Sequence, residues 1–197
     1  MTVHRLVAAD GAMVFGADDG GRAARFRAAA LPYMDDIYSL ARYLLRNPAD
    51  AEDAAQECYL RAFRHFDTFR GGPIKPWLLA ILRNVCRVEY ARRNSAVALQ
   101  SDGLDAAEDC AESLWQEEQT PEQHALRRFD AQTIQRLIAE LPDQFREAIV
   151  LREINELSYR EIAEVVGAPV GTVMSRLARA RSLLREAWIA EEKGSES

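Results

Sequence analysis

Apolar residues recur at helical spacing along most of this chain, in two blocks separated by a stretch with no period. From Pro32 onward, Tyr33, Ile37, Leu40, Leu44 and Leu45 form one stripe. Asn47-Pro48 ends that helix and starts the next. Asn47 suits the N-cap, and Pro48 suits the first helical position, where its missing amide hydrogen is no loss. Ala51, Ala54, Ala55, Cys58, Tyr59, Ala62, Phe63 and Phe66 make a second stripe. Arg70-Gly71-Gly72-Pro73 predicts a loop. A third helix follows, with Trp77, Leu78, Ile81, Leu82, Val85 and Cys86 on its apolar side, and Trp77 is read as core rather than as a base-stacking platform. The period fades between Ser95 and Pro121. It returns in Leu126, Phe129, Ile134, Leu137 and Leu141, breaks at Leu141-Pro142, and continues through Phe145, Ala148, Ile149, Leu151 and Ile154. The pattern predicts an all-α protein of two small helical domains joined by a flexible linker.

The last part of the chain is the most sharply punctuated. Ser158-Tyr159-Arg160-Glu161 is a capping box, in which Ser158 caps the Glu161 amide and the Glu161 carboxylate reaches back. Leu157 and Ile162 stand at staple positions. Gly167 suits the left-handed residue that ends a helix. Ala168 makes the turn and Pro169 opens the final helix, whose Val170, Val173, Leu177, Ala180 and Leu184 are expected to face the core. A short capped helix, a glycine turn and a longer basic helix make a helix-turn-helix. Thr172, Ser175, Arg176 and Arg179 then fall largely on the opposite side. Small polar residues there let a backbone approach a major groove, and arginines one turn later reach guanine edges or phosphates.

Charge sharpens this division. The chain carries a net charge of -6, yet residues 167–185 hold four arginines and no acid. Residues 22–94 carry 13 basic and 8 acidic side chains, whereas residues 95–121 carry seven acids and no base. An acidic total therefore does not exclude a nucleic-acid partner, because the local field governs docking. The boundaries that follow are an N-terminal extension over 1–21, a first unit over 22–94, an acidic linker over 95–121, a second unit over 122–190 and a tail over 191–197. Some 25 linker residues, fully extended, reach on the order of 80 Å.

Two charged surfaces lie in the first unit. Asp50, Asp53, Glu57, Arg61 and Arg64 form one stripe opposite the apolar face of the second helix. Spacing alone leaves open whether this is a solvated face or an interface. The third helix carries Arg83, Asn84, Arg87, Arg92 and Arg93, with Tyr90 among them, a combination suited to a single-stranded nucleic-acid path. Cys58, Cys86 and Cys110 form no CxxC and read as thiols of a reducing compartment. His4, His65 and His124 have no metal-ligand spacing. With no phosphate loop and no nucleophile beside a base, neither a catalytic site, a metal nor a cofactor is expected. The start of the chain lacks a signal-peptide pattern, and no apolar run approaches the roughly 20 residues of a membrane span, so a cytoplasmic protein is expected.

NPADAEDAAQECYLRAFRHFDTFR, followed by KPWLLAILRNVCRVEYARR, resembles region 2 of the extracytoplasmic-function (group 4) bacterial sigma factors. LPDQFREAIVLREINELSYREIAEVVGAPVGTVMSRLARARSLLR resembles region 4 of the same family. The resemblance covers about residues 25 to 188. It implies an alternative sigma factor that binds core RNA polymerase and directs initiation at particular promoters. Asp50, Asp53, Gln56, Glu57 and Arg61 would then dock on the β′ clamp helices, with the β flap as a further polymerase contact. Arg83, Asn84, Arg87, Arg92 and Arg93 would capture the non-template strand of the -10 element. Thr172, Ser175, Arg176 and Arg179 would read the -35 element. The linker would thread the RNA-exit path.

Three departures stand out. The Gly71-Gly72-Pro73-Ile74 loop is not a typical approach to the tryptophan helix, Met174 replaces a basic residue of several relatives, and the first 20 or so residues have no counterpart. The family also implies control by an anti-sigma factor, with the chain a monomer when free and 1:1 in that complex. The competing reading is a stand-alone helix-turn-helix regulator of duplex operators, with residues 25–94 as a sensor or dimerisation bundle. Such a regulator binds duplex DNA unaided, whereas a sigma factor needs the core enzyme.

Overall fold

The computed structural model describes residues 19–99 and 133–195, and side chains over 20–92 and 133–191. The described residues are mostly helical, with no strand among them. The first half contains α1 (Asp19–Ala30), α2 (Met34–Leu45), α3 (Pro48–His65) and α4 (Ile74–Leu99). In the second half, residues 133–140 are helical (α5), followed by α6 (Asp143–Glu153), α7 (Tyr159–Val166) and α8 (Val170–Ser195).

The local chemistry sets the helix ends. The Asn47 side chain accepts a hydrogen bond from the Asp50 amide at 3.2 Å, with Pro48 just inside the helix. Arg46 closes α2 in the left-handed region (φ 63), and Gly71 and Gly72 (φ 89 and 100) make the loop before α4.

In the first half, α2, α3 and α4 pack together around Ile37, Leu40, Leu78, Leu79 and Leu82, all with zero exposure. The buried residues of α3 are small: Ala51, Ala54, Cys58 and Ala62. Small side chains let its neighbours approach closely, while the leucines opposite supply about 1.5–3 kcal/mol each on burial.

The α1 helix closes this bundle, and it lies largely in a stretch whose pattern predicts no helix. Phe26 is buried edge-on against Tyr59, Phe63 and Phe66 at 5.3–6.3 Å. Arg22 lies 4.7 Å from the Phe63 ring centroid, donates to the Phe63 carbonyl at 2.7 Å and pairs with Asp67 at 3.0 Å.

In the second half, Ile149, Val150 and Leu151 of α6 and Ile162, Val165 and Val166 of α7 enclose Val173, Leu177 and Ala180 of α8. The two halves are not separate bodies here: α2 packs on α6 and α4 on α7, under one continuous apolar core.

Several expectations need correction. Ile134 (45% exposed) and Val170 (38% exposed) do not join the core, since each lies at the first turn of its helix beyond the packed layer. Trp77, by contrast, packs against the core as expected, half-buried and with Phe69 at 4.9 Å between ring centroids. The α4 helix runs on to Leu99, beyond the point where the apolar period fades, and α8 runs to Ser195. Cys110, the linker acids, Leu126 and Phe129 lie outside the described residues.

Candidate nucleic-acid and protein interfaces

The helix-turn-helix forms as its punctuation predicts. Ser158 accepts from the Glu161 amide at 3.3 Å, and the Ser158 amide donates to Glu161 Oε2 at 2.8 Å. Hydrogen bonding from Ser158 holds the Glu161 carboxyl below its usual range. Leu157 and Ile162 are both buried, which fixes the entry angle of α7. Arg152 braces the preceding turn, donating to the Leu157 carbonyl at 2.8 Å with its guanidinium 5.3 Å from the Tyr159 ring. That turn contains Glu156 at φ 57, a left-handed conformation on a residue with a Cβ. Gly167 ends α7 at φ 63.

The α8 helix then presents Ser175 and Arg179 to solvent, with Thr172 and Arg176 partly covered. Ser175 Oγ donates to the Thr172 carbonyl at 2.9 Å, so its hydroxyl is turned back on the helix in this state. Met174 is 53% exposed on the same surface. Arg181 is set apart from this group by its pair with Glu153 at 2.7 Å.

The stripe on α3 faces away from the core. Asp53 and Gln56 are exposed, Asp50 is half-buried, and Glu57 and Arg61 form an i,i+4 pair at 2.7 Å. On α4, Asn84 and Arg87 are exposed, Arg92 makes a two-pronged contact with Glu89 at 2.6 and 3.0 Å, and Arg93 continues the helix. Arg83 differs from the rest. It is largely buried and donates to Glu147 of α6 at 2.5 Å.

Glu147 is one of four buried polar residues, among those described, that the periodicity does not single out, with Ser39, Arg146 and Asn155. Arg146 satisfies the carbonyls of Ala139 and Leu141 at 2.9 and 2.8 Å and pairs with Asp143. Burial, and then the charge of Arg46, lower its pKa. Arg83, Arg87, Tyr90, Arg146, Glu147 and Arg176 are among the residues lining a cleft of about 490 Å³ between the halves. The -10 and -35 candidates thus meet at one place.

Cys58 and Cys86 are buried free thiols, and burial pushes both up to about 12. No group of acids, histidines or cysteines suited to a metal, and no helix long and apolar enough to cross a membrane, occurs among the described residues.

Residues 30–96 match the family model for sigma-70 region 2, and residues 131–184 match that for sigma-70 region 4. The chain is 36% identical over 161 residues to the ECF RNA polymerase sigma factor SigW of Bacillus subtilis, covering 78% of this chain and 83% of that one. The chain belongs to the extracytoplasmic-function sigma factors. This sigma factor is also 34% identical over 164 residues to the ECF sigma-E factor of Escherichia coli, covering 81% and 84% of the two chains. Among solved structures it resembles the sigma factor RpoE of Bartonella quintana, crystallised with the anti-sigma factor NepR, at a TM-score of 0.71 and 29% identity over 83% of this chain and 96% of that one. It shares its fold with CnrH, solved with the cytosolic domain of CnrY, at a TM-score of 0.60 and 23% identity over 87% and 92%. It is an alternative sigma factor, and family membership sides with that reading over the stand-alone regulator.

Proposed function

We propose that this sigma factor loads onto core RNA polymerase through the α3 stripe, opens the -10 element with α4 and reads the -35 element with α8. Asp50, Asp53, Gln56, Glu57 and Arg61 form the polymerase-facing set, toward the β′ clamp helices. Arg83, Asn84, Arg87, Arg92 and Arg93 form the strand-capturing set. Thr172, Ser175, Arg176 and Arg179 form the duplex-reading set. The observation that carries this is the division of labour between faces. The α3 stripe stands on solvent, away from the cleft where the two DNA-reading sets meet. A carrier that brings DNA readers to an enzyme needs a docking face separate from both.

The chain acts without catalysing a reaction itself, in the cytoplasm, and an anti-sigma factor holds it inactive. The similar sigma factor RpoE, crystallised with the anti-sigma factor NepR, supports the last point. Residues 22–94 and 122–190 form the two working units.

Duplex binding with and without core enzyme tests the reading. Fluorescence anisotropy on promoter duplexes at fixed salt is expected to give weak binding by the free chain and tight, sequence-dependent binding once core polymerase is added. Equally tight binding by the chain alone would return the protein to the class of free-standing regulators.

A further inference from the structure

Met174 stands out on α8: it is 53% exposed, apolar, and set among arginines. Val170, one turn earlier, is 38% exposed, and Ala178, one turn later, is exposed as well. Residues four apart share a ridge of a helix, so the three form one apolar row, about 12 Å long at about 1.5 Å per residue. A single exposed apolar side chain is ordinary on a protein surface. A ridge of three is not explained by packing, because the core of the second half closes on the neighbouring face through Val173, Leu177 and Ala180. A thioether can neither donate a hydrogen bond nor carry charge, so whatever meets Met174 meets it through apolar contact.

The groups around the row select its partner. Arg160 of α7 and Arg176 and Arg179 of α8 make no ion pair with a described residue, whereas Arg181 is tied to Glu153. Arg160, Glu164 and Val170 line one groove between α7 and the start of α8, so a guanidinium stands at the N-terminal end of the row. Gly171 leaves the backbone bare beside it, since a Cβ there would meet no atom within 4 Å. The Ser175 hydroxyl is committed to the Thr172 carbonyl, which turns its one donor away from a base edge. The major groove of a duplex answers each of these features. Its walls carry phosphates for the unpaired arginines, and its floor carries the thymine 5-methyl group, the one methyl that the four bases present there. Base pairs stack about 3.4 Å apart, so the ~6 Å from Val170 to Met174 spans about two of them. Glu164 fits the same surface only opposite a base amino group, since a phosphate would repel it.

We propose that Met174, supported by Val170 and Ala178, reads thymine through its 5-methyl group in the -35 element and so determines specificity at one or two of its positions. A basic residue at 174 would instead favour the O6 and N7 acceptors of guanine. The inference rests on the duplex-reading role proposed above for α8, and adds to it a base and the group by which that base is chosen.

Selection of promoter duplexes randomised through the -35 element, by the full chain bound to bacterial core RNA polymerase, tests it. The wild type is expected to enrich a T·A pair at one or two positions, and Met174→Lys to move one of them towards G·C. In the selected wild-type duplex, deoxyuridine in place of that thymine removes the methyl and keeps the pairing. It is expected to weaken wild-type binding about fourfold, the loss of one buried methyl contact, and to leave Met174→Ala binding unchanged. Both substitutions replace an exposed residue with a good helix former, so circular dichroism and thermal unfolding should match wild type. Uracil bound as tightly as thymine at every enriched position, or full methyl discrimination retained by Met174→Ala, would overturn the reading of thymine by Met174. So would a Met174→Lys chain that no longer co-elutes with core polymerase, which would give the row to a protein partner. Enrichment without methyl sensitivity leaves the proposed function standing, whereas a wild-type holoenzyme that enriches no sequence overturns that function and this inference together.

Discussion

Leu177 offers a sharp test of how α8 is held. It is 1% exposed, between Val173 and Ala180 on the buried face of α8, while Met174, one turn N-terminal, is 53% exposed. Leu177→Ala removes three carbons from this contact. At about 0.8 kcal/mol per methylene the lost transfer energy is about 2.4 kcal/mol. If about 50 Å³ of the vacated volume stays open, the cavity adds about 1.2 kcal/mol. The sum, about 3.6 kcal/mol, is a large share of the roughly 5–15 kcal/mol of a typical domain.

Urea unfolding followed by Trp188 fluorescence reads this directly, because Trp188 lies on α8. Phe at positions 77 and 115 would silence the other two tryptophans. Arg179→Ala, on the exposed side of the same helix, is the control and should shift stability by no more than about 0.5 kcal/mol. If Leu177→Ala cost less than about 1 kcal/mol, or the control cost as much, the assignment of the two faces of α8 would be wrong.

Three further outcomes follow from particular residues. Glu156→Gly should raise stability by roughly 0.5 kcal/mol by relieving a left-handed residue, whereas Gly167→Ala, with no atom within 4 Å of the added methyl, should lower it by about 1 kcal/mol through backbone strain alone; calorimetry of both variants reads the opposite signs. The depressed Glu161 carboxyl contributes stability above its unfolded pKa of about 4.3, lost as pH falls through that value and then through the folded one. Unfolding of wild type and Glu161→Gln between pH 6 and 3 should therefore converge at the acid end. Cys58 and Cys86, buried and pushed up to about 12, should react with a thiol reagent only as the protein unfolds, and rapid modification of either under native conditions would contradict the packing of α3 on α4.

The helices with a strong apolar stripe and a local stop signal are legible in the sequence. Asn47-Pro48, the Ser158–Glu161 box and Gly167 each act within four residues, so sequence is enough to place them. What escaped notice depends on tertiary partners. The segment around Phe26 offers one large apolar side chain among alanines and arginines, and its burial comes from three rings on and just after α3. Glu147 and Asn155 look like ordinary surface polar residues in DQFREAIVLREINELS. Glu147 on α6 and Asn155 in the turn after it are buried because this segment meets α8 on one side and the first half on another. Periodicity reports a single wet face and a single dry one, so it misses a helix packed on two sides. The closure of one half on the other was invisible for the same reason.

Gel filtration of the purified chain with bacterial core RNA polymerase, beside an Asp53→Ala/Glu57→Ala variant, addresses the central claim most directly. Losing the solvent-facing Glu57–Arg61 pair should cost only about 0.3–0.5 kcal/mol of stability, so the variant remains folded and its binding is interpretable. Co-elution of the wild type with core enzyme, lost or sharply weakened in the variant, is the predicted result. A variant that co-elutes as fully as wild type would contradict the α3 docking face, and a wild type that never co-elutes would contradict the proposal that this chain acts through RNA polymerase.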